Sequence, residues 1–579
     1  MVPTYREPRR YDAGVTPLPL RTQVRQAVER AWARAVDDGA VTALEGDARP
    51  AIEVERPADP THGDFATNLA MKLARPYRRP PLELATLFAA KLVRDASSQV
   101  ASGSGAGSPI EAAEVAPPGF LNMRIRPDAI EAIVDGVLAD PDAWGNVEPI
   151  STRKVNVEFV SANPTGPLTI GNARGAFIGD LLSRVLEAGG QDVTREYYFN
   201  DVGGQIPNLG ASIVALHAGE PVPEDGYHGD YVEVLAQRVP ADVWAEATAP
   251  GAEAAAIVGH WAAGLVREGI EASLERLGVH FDIWTTEGSL HENGWVERAV
   301  ERLRERGHVY EEDGAVWFRS TDFGDDKDRV IYRSNGQPTY FAADIGYVTE
   351  KFSRGFDHLI YIWGADHHGT VARVRNAAKA MGYDVDAVQM LLYSWVRFVR
   401  DGAEISMSKR AGEFITLDEL LAEVGVDAAR WFFASRAATS SIDFDIELAK
   451  KQSNENPVYY VQYAHARIAS ILRKAADAGL TASDTVAGTL GDGPEAALAR
   501  QVVRLPEVVE DAVVAEETHG ITAYATDLAT AFHAFYRDAR VVDPDDPQRS
   551  ATRLALARAT QLTLARTLGL LGISAPESM

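Results

Sequence analysis

The stretch from Lys154 to Gly190, KVNVEFVSANPTGPLTIGNARGAFIGDLLSRVLEAGG, constrains this chain more than any other. Val155, Val157 and Phe159 alternate with Asn156 and Glu158, the period-two pattern of a strand with one apolar and one polar face. The loop SANPTGPL follows. From Asn172 onward Phe177, Leu181, Leu182, Val185 and Leu186 recur on one side of a helix that Gly189 and Gly190 stop. Strand, Gly/Pro loop and helix open an α/β nucleotide-binding sheet, in which the helix N-terminus offers unpaired N–H groups and a positive dipole end to a phosphate. Many doubly wound proteins start this way, so on this stretch alone a nucleotide site and a purely structural unit both stay open.

Two further loops share the design. LIYIWGADHHG (359–369) is an apolar strand ending in a polar loop, and GAEISMSKRAGEFITLDEL (402–420) is a Gly-flanked loop feeding a helix. Strand-end loops of a parallel sheet converge at its carboxyl edge, where ligands sit. Three loops of complementary chemistry therefore predict one shared site.

At 579 residues the chain is too long for one core, so two to four domains are expected, and its 46% apolar content excludes a disordered or fibrous chain. No apolar run approaches the roughly 18 residues of a bilayer span. The amino-terminal MVPTYREPRRYDAG has charges but no apolar segment after them, so a soluble, cytoplasmic protein with no membrane association is expected. The lack of cysteine excludes disulfides, thiolate catalysis and Cys-ligated zinc. With 83 acids against 57 bases the net charge is −26, which repels a polyanion overall, so any nucleic-acid site must be local. Adaptation of the host to salt or heat is an equally open reading of that acidity.

Pattern divides the chain in three. Residues 1–145 read as an α+β unit: helical spacing over 17–43, then a strand, a turn and a helix from near Asp64. A flexible linker at 96–109 and a turn into a strand at EVAPPGFLNMRI complete it. Residues 146–424 read as a Rossmann-like parallel-sheet domain, interrupted at about 205–300 by a helical, acidic insertion whose charge disfavours phosphate contact. From 425 to 579, AARWFFASR, ITAYATDLATAFHAFY and RLALARATQLTLARTLGLL carry i, i+4 apolar stripes, so an all-α helical bundle is expected. The fold class is thus multidomain α/β.

VNVEFVSANPTGPL, REYYFNDVGGQI, DGAVWFRSTDFGDDKDRV, WGADHHG, MSKRAG and NENPVYYVQYAHARI occur in this order. With them the chain, from about residue 20 to its end, resembles the bacterial class I arginyl-tRNA synthetases. The resemblance implies an enzyme that joins L-arginine to tRNA(Arg) by way of arginyl-adenylate. ATP with magnesium is then a substrate, no tightly bound cofactor is expected, and the partners are tRNA(Arg), L-arginine and ATP, bound by a monomer. The first unit would bind the tRNA D-loop, the insertion would lie over the acceptor end, and the bundle would bind the anticodon.

Adenylation sets a carboxylate against an α-phosphorus, so the site must screen two anions and stabilise charge developing on phosphoryl oxygens. By position in the resemblance Lys409 supplies the cation, Ser408 a neighbouring hydroxyl donor, and Met407 part of the ATP pocket. The family's first loop lysine is Ser406 here, and Gly166 stands where some relatives carry a lysine, which leaves Lys409. The family signature His-x-Gly-His reads Thr-Ile-Gly-Asn at 169–172. Gly171, which gives adenine access to the backbone, is kept. Thr169 and Asn172 can still donate to phosphate oxygens, though without a positive charge. His367 and His368 are expected in the ATP pocket, with a satisfied polar core as their ordinary alternative. Adjacent histidines make poor co-ligands, so no metal site is expected.

Carboxylates hold a guanidinium best. The resemblance puts Glu158, Ser161 and Asn163 at the α-amino and carboxylate end of arginine, and Tyr340 and Asp344 at its guanidinium. It also implies that Phe120 stacks on a D-loop base and Asn122 hydrogen-bonds it, a mode suited to unstacked bases. Tyr459, Tyr463 and Arg467 form a candidate stacking and phosphate surface, although tyrosines at helical spacing also serve as core. Two functions stay open: a working ligase, and a paralogue that binds tRNA or arginine without efficient activation. Another class I synthetase or nucleotidyltransferase would not be expected to combine PGFLNM with the terminal helices.

Overall fold

The computed structural model describes residues 18–46, 49–100, 108–149, 151–405, 415–491 and 493–579. At its centre five parallel strands lie in the order Val388–Tyr393, His358–Gly364, Lys154–Phe159, Asp192–Phe199 and Ile283–Thr286. The chain lays down Lys154–Phe159, builds outward to one edge, and returns to the other side of its first strand with His358–Gly364. The strand order reverses between those two neighbours, and such a reversal opens a crevice at the carboxyl ends. The expected doubly wound sheet is present.

The first strand departs from the two-faced alternation. Asn156 and Glu158 are as buried as Val155, Val157 and Phe159, because elements pack on both faces of a parallel sheet. Asn156 Nδ2 donates to Glu196 Oε2 at 2.6 Å, and Arg354 donates to the same oxygen at 2.7 Å. The helix Ile170–Ala188 lies against this strand, and at Gly179 a Cβ would stand 2.1 Å from the Phe159 ring. Only glycine permits that approach.

The interruption after the second strand carries the helices Gln205–His217, Asp230–Arg238, Ala241–Ala247 and Ala254–Leu277, but it ends before 300 with the sheet's edge strand Ile283–Thr286. The helical reading of 205–300 is corrected there. A strand of 4 residues after a long helical run is too short to show its own period.

In the amino-terminal unit the strands Phe65–Thr67, Phe120–Ile125 and Ile110–Ala116 form an antiparallel sheet packed with helices. The helix expected near Asp64 begins instead at Leu69, because Phe65 and Thr67 are buried in strand pairing with Met123 and Leu121. The expected linker is helix as far as Val100, and residues 101–107 lie outside the described residues. Beyond 425 the chain is helical as expected, except that Ile442–Asp445 pairs as a strand with Val396–Arg400. The amino-terminal unit meets the carboxyl-terminal helical region: Arg56 donates to Glu507 at 2.7 and 2.9 Å, and Glu131 accepts from the N–H groups of Gly488, Thr489 and Leu490 at 2.8, 2.9 and 2.9 Å. No helix among the described residues is long and apolar enough to cross a membrane.

Candidate active site

Directly after Phe159 two consecutive residues take left-handed backbone, Val160 at φ 68° and Ser161 at φ 42°. Each such non-glycine residue costs of order 1–3 kcal/mol, so neighbouring bonds must hold it. Ser161 Oγ donates to Glu158 Oε1 at 3.0 Å and accepts from Tyr198 N–H at 3.3 Å. The Tyr197 hydroxyl accepts from Ala162 N–H and donates to Ala162 O, both at 2.9 Å. Asn163 Nδ2 donates to Gln205 Oε1 at 2.8 Å.

Glu158 is spoken for on both oxygens. Its Oε2 accepts from Lys351 Nζ at 2.8 Å, and the ammonium also lies 4.1 Å from the ring centre of Tyr347 and 4.0 Å from that of Tyr361. The carboxylate is therefore neutralised from within, and its connection toward the loop runs through Ser161.

Tyr340, Asp344, Tyr347 and Lys351 form one stripe of the helix Tyr340–Ser353. Tyr340, in the first turn, is 61% exposed. Asp344 lies a turn deeper and is half-buried. Burial, together with the carboxylates of Glu287 and Glu158, pushes the Asp344 carboxyl up to about 7, against the pull of Arg373. Glu287 is buried at the start of the helix Glu287–Glu292. Burial raises its pKa, Asp201 adds to the rise, and the Tyr198 hydroxyl, donating at 2.8 Å, opposes it. Neither Asp344 nor Glu287 makes an ion pair among the described residues. Two neighbouring carboxylates that repel each other are stabilised in their ionised forms by a cation placed between them.

Glu287 is absent from the sequence-based set because it fell inside the region read as an insertion. The available signal was its place in IWTTEGS, a carboxylate at the carboxyl end of a strand.

On the nucleotide side, Thr169 precedes the helix Ile170–Ala188, and Asn172 Oδ1 accepts from both the Thr169 N–H and the Thr169 hydroxyl, each at 3.0 Å. The two residues that replace the signature histidines thus bond each other, leaving the Asn172 Nδ2 as a donor. Gly171 between them is exposed, and among the described residues a Cβ there would meet only Thr169 Oγ1, at 3.5 Å. Arg174, one turn on, is fully buried and donates to the carbonyls of Ser394, Ala437 and Ser440 at 2.6, 2.9 and 2.6 Å. These three acceptors are backbone carbonyls, and burial brings the guanidinium down to about 10. It ties the helix to the loops beside Val388–Tyr393 and Ile442–Asp445, a role that sequence reading missed.

His367 and His368 stand at the carboxyl end of His358–Gly364, both exposed, which removes the polar-core alternative. Met407, Ser408 and Lys409 lie outside the described residues.

The candidate tRNA contacts lie on other elements. Phe120 is 38% exposed at the head of its strand, with Asn122 half-buried beside it. Tyr459, Tyr463 and Arg467 occupy successive turns of the helix Pro457–Asp477 and are half-buried. The two tyrosine rings are parallel within 6° at 6.3 Å, and the Arg467 guanidinium lies 4.5 Å from the Tyr536 ring centre.

Residues 20–125 match the family described as arginyl tRNA synthetase N terminal domain, 134–220 and 260–445 the class I (R) tRNA synthetase catalytic domain, and 461–579 the DALR anticodon binding domain. An arginine–tRNA ligase of Geobacter sp. (strain M21) is 43% identical over 570 residues, 97% of this chain and 100% of that protein. Another, from Bacillus subtilis (strain 168), is 42% identical over 538 residues, 92% and 95% of the two chains. The solved arginyl-tRNA synthetase of Thermus thermophilus is similar with a TM-score of 0.72 over 96% of this chain and 100% of that one, a likeness of fold at 23% identity. With its three domain matches in order and its relatives matched end to end, the chain belongs to the arginyl-tRNA synthetase family of class I tRNA synthetases.

Proposed function

We propose that this ligase activates L-arginine as arginyl-adenylate in the crevice between Lys154–Phe159 and His358–Gly364, with ATP and magnesium as substrate, and then transfers the arginyl group to tRNA(Arg). The observation that carries the reading is the pair Asp344 and Glu287, carboxylates that make no ion pair among the described residues, whereas Glu158 has Lys351. A guanidinium brings a delocalised charge and planar donors to such a pair. Tyr340 would border it, and Ser161 and Asn163 would take the α-amino and carboxylate end.

The nucleotide would lie at the helix N-terminus by Gly171, where N–H groups favour anions. Ile415 and Leu417 meet the same place: Ile170 N–H donates to Ile415 O at 3.3 Å, and Leu417 N–H to Leu168 O at 2.9 Å. Lys409, Ser408, Asn172, His367 and His368 would then surround the phosphates, with Met407 beside them and Thr169 orienting Asn172. A carboxylate oxygen of arginine attacks the α-phosphorus and pyrophosphate leaves, and a terminal ribose hydroxyl of the tRNA next displaces AMP. In this reading Thr-Ile-Gly-Asn is a working variant of His-x-Gly-His with neutral donors. Phe120 and Asn122 would hold the D-loop, and Tyr459, Tyr463 and Arg467 the anticodon end.

The bond between Thr169 and Asn172 favours a second reading, a paralogue that binds its ligands without activating arginine. Incubation of the purified protein with ATP, magnesium, labelled arginine and tRNA(Arg) separates the two, with tRNA included in any pyrophosphate-exchange assay. Charging of tRNA is expected. No charging above background at saturating substrates would establish the second reading.

A further inference from the structure

We propose that Tyr231 is a positioning residue for arginine activation, setting the distance between the amino-acid and nucleotide halves of the site by holding the loop that joins them. This rests on the functional reading above. Residues 161–163 border the arginine side and 169–172 the ATP side, so the loop between them is the ruler that separates the attacking carboxylate from the α-phosphorus.

The backbone of that loop is held at intervals of three residues by donors from three different elements. Ala162 O accepts from the Tyr197 hydroxyl of the second sheet strand at 2.9 Å. Thr165 O accepts from the Tyr231 hydroxyl at 3.0 Å. Leu168 O accepts from Leu417 N–H at 2.9 Å. Tyr231 is the middle support, and of the two side-chain donors it is the one from outside the sheet. It sits on the helix Asp230–Arg238, in the interval between the two matched parts of the catalytic domain, 134–220 and 260–445.

The helix that presents it is anchored. Val232, Leu235 and Ala236 are buried, and His217 Nδ1 donates to Ala236 O at 2.7 Å. Burial raises the Tyr231 pKa, which keeps its hydroxyl a proton donor. The ring also covers Gly166: a Cβ there would lie 3.2 Å from the Tyr231 hydroxyl oxygen, 3.3 Å from Cζ and 3.5 Å from Cε2. Gly166 is not in the left-handed region, so its lack of a side chain answers to Tyr231 and not to the backbone. Hydroxyl and ring together locate Thr165 and Gly166 in three dimensions.

Removing the middle support leaves both subsites formed but free to shift relative to each other. Misplacement of reacting atoms by about 1 Å can cost about 100-fold in rate while each substrate still binds. In the full-length enzyme, Tyr231→Phe should lower kcat for tRNA-dependent pyrophosphate exchange about 10-fold, the size of one lost hydrogen bond, and Tyr231→Ala about 100-fold. KM for arginine and for ATP should stay within about twofold in both. Gly166→Ala should cost about 10-fold in the natural enzyme and less than about twofold when added to Tyr231→Ala, because the atoms it meets are gone.

A Tyr231→Phe kcat within twofold of the natural enzyme, a KM rise matching the kcat loss, or a Gly166→Ala cost independent of Tyr231 would overturn the proposal. Amide hydrogen exchange gives a readout that needs no activity: Tyr231→Phe should speed exchange at Thr165, Gly166 and Leu168 at least about fivefold. Faster exchange in a protein that charges no tRNA would uphold the loop contact and defeat only the functional reading. Unchanged exchange would defeat the contact itself.

Discussion

Lys351 donates to Glu158 across 2.8 Å where neither side chain reaches solvent, and the rings of Tyr347 and Tyr361 flank the ammonium. This pair distinguishes Glu158, which has its own cation, from Asp344 and Glu287, which make no ion pair among the described residues. Breaking a buried pair from one side strands a charge, at about 3–5 kcal/mol. Lys351→Met should lower the free energy of unfolding by about that much in urea titrations, and adding Glu158→Gln should recover most of the loss. A single variant as stable as the parent would show that Glu158 does not depend on Lys351.

Asp344, raised to about 7, makes stability and binding respond to pH in opposite senses. The folded chain retains a proton that the unfolded chain releases, so the group's contribution is fully present below about pH 4 and is lost as pH rises through 7. Asp344→Asn should therefore raise Tm by an increment that grows from about pH 4 to 7 and then levels off. Arginine needs the ionised form, so its KM should fall as pH rises through 7 in the natural enzyme, and Asp344→Asn should flatten that dependence. Thermal melts and initial rates across this range check both.

Glu287→Gln preserves size and the capacity to accept from Tyr198 while removing the charge. Losing one charge-assisted contact to a guanidinium costs about 2–3 kcal/mol, or about 100-fold in KM for arginine. KM for ATP should stay within about twofold. Equal losses for both substrates in steady-state kinetics would place Glu287 outside the arginine pocket.

The substituted signature and its lysine make separable predictions. Thr169→His with Asn172→His should raise the adenylation rate by no more than about tenfold, since two donors are exchanged for two better ones. A rescue from near zero would mean that the natural protein is not a catalyst. Lys409→Ala should reduce kcat much more than it weakens arginine binding, as a group acting on transition-state charge must. Single-turnover kinetics with titration of arginine distinguishes the two effects.

Local periodicity made much of the fold legible. A period of two announced the strand Lys154–Phe159, a period near four announced Ile170–Ala188, and the spacing of Tyr340 and Asp344 puts both on one helix face. The edge strand Ile283–Thr286 and the strand Phe65–Thr67 escaped because each is too short to show a period and is defined by its partners. Glu287 escaped with the first of them.

Residues a few positions apart were enough to specify the sheet opening, a helix after the Gly/Pro loop, the order of the three regions and the chemical kinds of side chain on offer. Packing between distant segments settled what those side chains must do. It buried Asn156 and Glu158, joined Thr169 to Asn172, placed Tyr231 against Gly166, and set Glu287 near Asp344 with no ion pair to either among the described residues. A carboxylate carries its charge in its formula, but whether that charge is satisfied depends on dielectric and on neighbours that arrive from strands and helices far along the chain.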